Sequence, residues 1–319
     1  MSQTKRVLVT GAGGFIGRWS VAPLLGKGYE VHAVLSKNAH APFAQEIHGA
    51  SVHCADLLSE AGVEELVKGV KPTHLLHFAW IATPGIYWQS PDNARWLAAS
   101  QYLLRCFRAA GGVRAVMAGS CVEYDWSRVG VCIEQTSPLA DAGAKAPTPY
   151  AASKIAMQKD LARFAAEQHL SAAWGRVFLQ YGPYEHPERL VPSVIRQLLL
   201  SREALCTHGR QVRGFLHVTD LGAAFAQLLD SEVQGPVNMG SDEAVALSDL
   251  IGRIAQQIGR PDLIRLGARS AAADEPPILL ADVHRLRDEV QWRPRFSLNE
   301  GIRDTIAWWR AELAARGAS

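Results

Sequence analysis

The sequence is poor in the features that announce a disulfide scaffold, a metal site or a membrane span. Its five cysteines (Cys54, Cys106, Cys121, Cys132, Cys206) are odd in number and scattered, with no C-x-x-C pair. That pattern disfavours a disulfide framework or structural zinc and fits a reducing compartment. None of the eleven histidines forms an H-x-x-x-H pair, so no bound metal is expected. No uncharged apolar run approaches the roughly 18–20 residues that cross a bilayer. The chain passes from Met1-Ser2-Gln3 almost directly into an apolar segment, without a signal-peptide layout. Charge imbalance is missing too: 33 Lys and Arg against 31 Asp and Glu leave a net +2, too little for a phosphate-backbone footprint. The expectation is a cytoplasmic protein with no nucleic-acid or membrane partner.

What is present is an ordinary globular composition, 48% apolar and 20% charged over 319 residues, enough for two domains or one large sheet with a smaller lobe. Strand and helix signals alternate. Residues 6–10 (RVLVT) form an apolar run ending in glycine, and 15–27 carry a helical pattern. Strands are predicted at 31–35, 51–54, 74–79, 113–118 and 172–178, with helices at 61–70, 95–110 and 149–169 between them. Repeated β-α-β units of this length predict an α/β fold, a doubly wound parallel sheet of Rossmann type. After residue 178 the rhythm breaks at YGPYEHPE. The predicted division is a dinucleotide-binding domain of residues 1–178 plus 211–240, and a smaller α/β substrate lobe of 179–210 plus 241–319.

Gly11, Gly14 and Gly17 form G-x-x-G-x-x-G between the first strand and first helix. Gly11 permits the tight turn, Gly14 lets backbone approach a pyrophosphate, and Gly17 lets helix and strand pack closely. The helix N-terminus then offers N–H groups and a positive dipole end to the phosphates. The competing reading is a glycine-rich turn without a ligand. The second strand ends Val34-Leu35-Ser36-Lys37-Asn38, without the acid that holds the ribose of NAD and repels a 2′-phosphate. Ser36 and Lys37 therefore point to NADP(H), with NAD(H) as the alternative. Asp56, after the third strand, is placed to accept from the adenine amino group or to cap a helix.

Of the seven tyrosines only Tyr150 has a lysine four residues on, Lys154, which shares its face on a helix. A cation one turn away, with an oxidised nicotinamide beside it, is expected to lower the phenol's pKa and make Tyr150 an acid or base near neutrality. Ser120 follows the fifth strand at the end where ligands bind in such sheets. Its hydroxyl can hold a carbonyl oxygen that receives a proton. The loop from residue 80 to 96 holds Trp80, Tyr87, Trp88 and Trp96, whose faces can stack a sugar or base, or pack the loop on the core.

These segments together resemble the extended short-chain dehydrogenases/reductases, in the nucleotide-sugar epimerase, dehydratase and reductase branch. The resemblance runs through TGAGGFIG (with Phe15 and Ile16), Asp56-Leu57, LHFA (ending Phe78-Ala79), Ser120, Tyr150-x-x-x-Lys154, RVFLQYGP, QVRGFLHVTD, VNMG and the segment from Trp292 to Trp308. It implies a catalytic Ser120, Tyr150 and Lys154, and cofactor contacts at the glycine turn, Asp56, Leu57, Phe78 and Ala79. It also implies a substrate diphosphate held by Arg213, with Arg189 and Trp80 as further substrate candidates, and a homodimer built on helices 95–110 and 150–168. Two positions depart from the pattern: Leu179 stands for the usual Asn, and Ala272 for a second arginine, with Arg269 nearby.

A 4,6-dehydratase of this branch carries Asp-Glu immediately after the Ser120 position, where this chain has Cys121 and Val122. The sequence therefore favours NADPH-dependent reduction of a 4-keto-6-deoxyhexose nucleotide. The alternatives are a nucleotide-sugar epimerase that returns its hydride, or a non-catalytic dinucleotide sensor.

Overall fold

A computed structural model describes residues 4–36, 45–142, 146–272 and 275–317. The first half runs β1 (Arg6–Thr10), α1 (Arg18–Gly26), β2 (Glu30–Leu35), β3 (Ser51–Cys54), α2 (Glu60–Val70), β4 (His74–His77), α3 (Asp92–Ala109) and β5 (Arg114–Ser120). Then come β6 (Val131–Cys132), α4 (Pro149–Gln168), β7 (Ser171–Val177), β8 (Leu179–Tyr181), α5 (Leu190–Leu199), β9 (Ala204–Leu205) and β10 (Val212–His217). The chain ends with α6 (Val218–Asp230), β11 (Gly235–Met239), β12 (Ala244–Ala246), α7 (Leu247–Ile258), β13 (Ile264–Arg265), β14 (Ile278–Ala281) and α8 (Leu298–Ala315).

Seven strands form one parallel sheet in the order β11-β7-β5-β4-β1-β2-β3. Its strands are apolar runs rather than alternating ones because helices cover both faces; β4 and β5 are buried along their whole length. The period of two still sorts the side chains. Val7 and Val9 face the layer built from α1 and α6, whereas Leu8 faces α2, α3 and α4. The strand order reverses between β1 and β4, which opens a crevice at their carboxyl ends.

A smaller sheet runs β12-β10-β14-β6, with β8 paired to the far half of β10. Helices α5, α7 and α8 build its core around Ile195, Leu250, Ile254 and Ile302. Here the structure corrects the sequence reading. The strand at 212–217 lies in the smaller sheet rather than beside the large one, although α6 after it packs on α1 and β11 completes the large sheet. Two-residue β6, from the middle of the first-domain sequence, also joins the smaller sheet. Neither partner choice is encoded locally, because an apolar strand reads alike whichever sheet it enters.

The C-terminus of α6 is secured from below the large sheet. Arg114, the first residue of β5 and buried, donates to the carbonyls of Leu228 (2.6 Å), Leu229 (2.8 Å) and Val233 (2.9 Å) and to Ser171 Oγ (2.6 Å). Leu228 and Leu229 belong to the last turn of α6, whose carbonyls lack intrahelical partners; Ser231 also donates to Leu228, and Val233 follows the helix. Arg114→Met should lower stability by about 3 kcal/mol in urea titration, because the buried carbonyls lose charged donors at once. A loss below about 0.5 kcal/mol, the range of an ordinary surface substitution, would show that water replaces the arginine.

Candidate active site

The crevice is floored by the glycine turn. Gly11 has φ +69°, and a Cβ there would stand 2.8 Å from the Ala79 backbone nitrogen. A Cβ on Gly14 would meet the Gly11 carbonyl oxygen at 3.0 Å, and one on Gly17 would meet it at 2.3 Å. Gly17, at the N-cap of α1, therefore lets the start of the helix close on the residue that follows β1. α1 begins only at Arg18, with no side-chain cap and no acid in its first turn, so its positive end faces the turn as anion binding requires. The buried Arg18 guanidinium adds charge beneath: it donates to the carbonyls of Gly14 (3.0 Å) and Gly13 (2.7 Å) and lies 4.0 Å from the Tyr184 ring centre. Side chains are excluded where a pyrophosphate would lie, and positive charge is supplied, so the turn fits a dinucleotide. Phe15 and Ile16 are half-buried within it.

Toward the adenosine side, Ser36 is exposed at the end of β2; Lys37 lies outside the described residues. Asp56 is exposed and accepts from the Leu58 N–H at 3.0 Å. The α2 cap is instead Ser59, which accepts from the Gly62 N–H at 3.3 Å, so Asp56 is not that helix's N-cap. Leu57 is buried in the core beside it. After β4, Phe78 sets its ring edge on Phe225 (4.8 Å), and Ala79 abuts Gly11. His77 lies 2.7 Å from Thr10 Oγ1 and 2.9 Å from Ser100 Oγ. Burial and then the Lys154 charge push its pKa down to about 3, so it is a neutral link between β1, β4 and α3.

The three residues expected to react meet at the end of β5. Thr148 caps α4 by accepting from the Ala151 N–H (3.2 Å), and Pro149 occupies the first turn, the local signals that start a helix at this point. Tyr150 and Lys154 thus lie one turn apart beside Ser120. Tyr150 lies close enough to Ser120 for that hydroxyl to favour its ionised form, and its ring is walled by Tyr87 (4.8 Å) and Trp88 (6.0 Å). Burial, reinforced by Tyr87, pushes the phenol above its ordinary value, opposed by Ser120. The Lys154 ammonium is spent elsewhere, donating to the Ala118 carbonyl at 2.9 Å, while burial pulls its own pKa down to about 7 against the pull of Glu123.

Glu123 is the functional residue that the sequence reading passed over. It is fully buried and closes a capping box: the Ser120 N–H donates to its Oε1 at 2.7 Å, and Ser120 Oγ accepts from the Val122 N–H at 3.4 Å. Arg176 Nε (2.7 Å) and Trp174 Nε1 (3.0 Å to each oxygen) complete its partners. The S-x-x-E spacing was the available signal.

The substrate candidates are spread around the opening. Arg213 is buried and engaged by Glu275 (2.9 Å) and by the carbonyls of Val212 (2.9 Å) and Pro276 (2.8 Å). Arg189 is exposed, 5.9 Å from the Tyr87 ring centre, near Glu185, whose buried carboxyl is pushed up to about 8. Trp80 turns its ring to Lys154 at 3.9 Å. Leu179 pairs with Phe215 in β8–β10, and Ala272 and Arg269 are exposed.

A parallel sheet of this order, a glycine cradle at its reversal point and a Ser-Tyr-Lys cluster at the end of β5 define a nicotinamide-dinucleotide enzyme of the extended short-chain dehydrogenase/reductase type. The chain belongs to the NAD dependent epimerase/dehydratase family, whose model matches residues 7–240. It is 27% identical to a dTDP-4-dehydro-6-deoxy-D-allose reductase of Streptomyces bikiniensis, over 96% of both chains. It is 24% identical to a UDP-glucose 4-epimerase of Rhizobium leguminosarum bv. trifolii, over 95% of this chain and 96% of that one. The structure of a Thermus thermophilus UDP-glucose 4-epimerase in complex with NAD superposes with a TM-score of 0.81 at 26% identity, covering 96% of this chain and 99% of that one.

The Glu123–Arg176 pair sets the first test of this site. Glu123→Gln should cost about 3–5 kcal/mol, measured by urea unfolding, because it strands the Arg176 charge in the interior. A change within about 0.5 kcal/mol would mean that the pair does not anchor the end of β5.

Proposed function

We propose that the chain is an NADPH-dependent reductase of a 4-keto-6-deoxyhexose carried on a nucleotide. The observation that carries this reading is that the segment after Ser120 offers no free acid. Cys121 is held as a neutral thiol by burial, Val122 cannot titrate, and Glu123 is locked to Arg176 and Trp174. Tyr150 is then the proton carrier beside the reacting carbon, which is enough for a carbonyl reduction and too little for a dehydration that also moves C5 and C6 protons. The name of the Streptomyces bikiniensis relative supports the same class of substrate.

A reduced nicotinamide held in the crevice would supply the hydride for the carbonyl carbon. Ser120 donates a hydrogen bond to the carbonyl oxygen, and Tyr150 gives it a proton, so C=O becomes CH–OH and the phenolate takes a proton back from solvent. A phenol whose pKa is raised by burial is the protonated species throughout the physiological range, as an acid must be. Lys154 stabilises the transient phenolate. On the cofactor side, Gly11, Gly14, Phe15, Ile16 and Gly17 cradle the pyrophosphate, Asp56 and Leu57 hold the adenine, and Phe78 and Ala79 line the nicotinamide ribose. Ser36 and Lys37 take the 2′-phosphate. Arg213 and Arg189 serve the substrate's phosphates, with Trp80 at the mouth. The working unit is a cytoplasmic homodimer paired through α3 and α4.

The second reading, a C4 epimerase, needs no further acid either, and the Rhizobium leguminosarum relative bears that name. A panel of keto-sugar nucleotides separates the two. The purified enzyme should consume NADPH stoichiometrically and leave C3 and C5 unexchanged in D₂O; interconversion of two sugars without added cofactor, or deuterium at C5, would sink the reductase reading. Tyr150→Phe should cut this turnover by roughly 10²–10⁴, with cofactor affinity kept within a few-fold.

Cofactor choice rests on β2 ending in Ser36 without an acid. NADPH should bind at least about tenfold tighter than NADH in fluorescence titration, and Ser36→Asp should reverse the order. Equal affinities in the unaltered protein would overturn the NADPH preference.

A further inference from the structure

The long loop between β4 and α3 does more than wall the crevice. Lys154 is 4% exposed, and an ammonium has three donors to satisfy. One reaches the Ala118 carbonyl at 2.9 Å. The nearest aromatic face is Trp80, with its ring centre 3.9 Å from Nζ, whereas the Tyr150 and Trp174 rings lie 5.9 Å away. The charged groups facing the ammonium are few. Glu123 after β5 attracts it, and His77 on β4 stays neutral over the working range.

The indole is itself held. Its Nε1–H donates to Asn93 Oδ1 at 2.9 Å, and Asn93, fully buried near the start of α3, donates through Nδ2 to the carbonyls of Tyr87 (2.7 Å) and Ser90 (2.9 Å). The orientation of that amide is fixed by chemistry: reversing it would set a donor against the indole N–H and an oxygen against two carbonyls. Tyr87 in turn lays its ring against Tyr150. One asparagine therefore fixes the lid over Lys154 and the wall beside Tyr150.

We infer that Trp80 and Asn93 are positioning residues for the reaction, the indole face capping the Lys154 ammonium and Asn93 holding that face in place. A desolvated ammonium on an indole is among the stronger cation–π arrangements. The cap keeps the lysine protonated in a cavity that would otherwise neutralise it, and a face already covered by Lys154 is not free to stack a sugar. This inference rests on the Tyr150–Lys154 reading above.

The test is a pH titration of the whole protein labelled with ε-¹³C lysine, the Lys154 signal being identified by its loss in Lys154→Met. Trp80→Leu should lower the Lys154 pKa by about one unit, whereas Trp80→Phe, which keeps an aromatic face, should stay within about half a unit of the unaltered protein. Asn93→Ala should shift it in the same direction as Trp80→Leu, and the double variant should go no further than Trp80→Leu alone. A merely structural role would lower the melting temperature and leave the titration in place. An unmoved Lys154 titration in Trp80→Leu overturns the inference, as does an unmoved one in Asn93→Ala should Trp80→Leu not fold. Additive shifts in the double variant overturn the part assigned to Asn93. Full NADPH turnover by Lys154→Met would instead remove the catalytic reading, a result that the titrations do not share.

Discussion

The buried pair of Glu123 and Arg176 is the interaction on which the rest of the site depends. Two charges in the interior are tolerated only where every oxygen and nitrogen has a partner, and here the partners come from separate parts of the chain. Glu123 takes the Ser120 N–H and the Trp174 indole; Arg176 reaches on to Tyr124 Oη (3.0 Å) and the Glu134 carbonyl (3.2 Å). Tyr124 donates to Asn238, and Asn238 to the carbonyls of Cys132 and Asp282 beside the smaller sheet. The end of β5 and the junction of the two sheets are therefore one polar network. Gly119 is obligatory for it, since a Cβ there would stand 2.1 Å from Trp174 Nε1 and 2.5 Å from Glu123 Oε1.

That network also governs the chemistry. Burial drives Lys154 toward the neutral amine and Tyr150 toward the neutral phenol, so desolvation alone would leave a site without charge. Glu123 opposes it for Lys154 at the range where the interior weakly screens, and the Ser120 hydroxyl opposes it for Tyr150. The same carboxylate that positions the Ser120 backbone thus biases the protonation of the lysine. Position and charge are set together, which is why Glu123 serves the site without touching a substrate.

The sequence carries some of this openly. The glycine turn, the alternation of apolar strands with helices, and Tyr150-x-x-x-Lys154 are local patterns, and local patterns were enough for the parallel sheet and for placing Tyr150 and Lys154 one helical turn apart. The S-x-x-E of Ser120 and Glu123 was equally local, but it reads as a helix cap until Arg176, 53 residues on, is seen beside it. Asn93 has no signal at all, since its three partners are fixed by how a loop folds back. The membership of β6 and β10 in the smaller sheet and the upward shift of Tyr150 share one cause. Both are set by neighbours distant in sequence, through pairing in one case and desolvation in the other, and neither leaves a periodicity to read.

The two halves of the crevice are built on different terms. The cofactor half is backbone: three glycines in the turn between β1 and α1, packed on one another and on the residues that follow the neighbouring strand β4. The proposed substrate half is made of side chains from β10 and from loops, and its cations are already engaged. Arg213 is held by Glu275 and two carbonyls, and Arg189 stands near Tyr87 and Glu185. A diphosphate taken by Arg213, as proposed, would have to displace the Glu275 carboxylate, one anion exchanged for another, so the gain would be a difference between two charged hydrogen bonds and not the whole of either. Such an exchange rewards a ligand that presents two oxygens to the guanidinium fork and gives little to one that presents a single charge. Discrimination on that side would then come from the geometry of the anion, while the glycine cradle would take the pyrophosphate common to both dinucleotides and leave the choice between them to the end of β2.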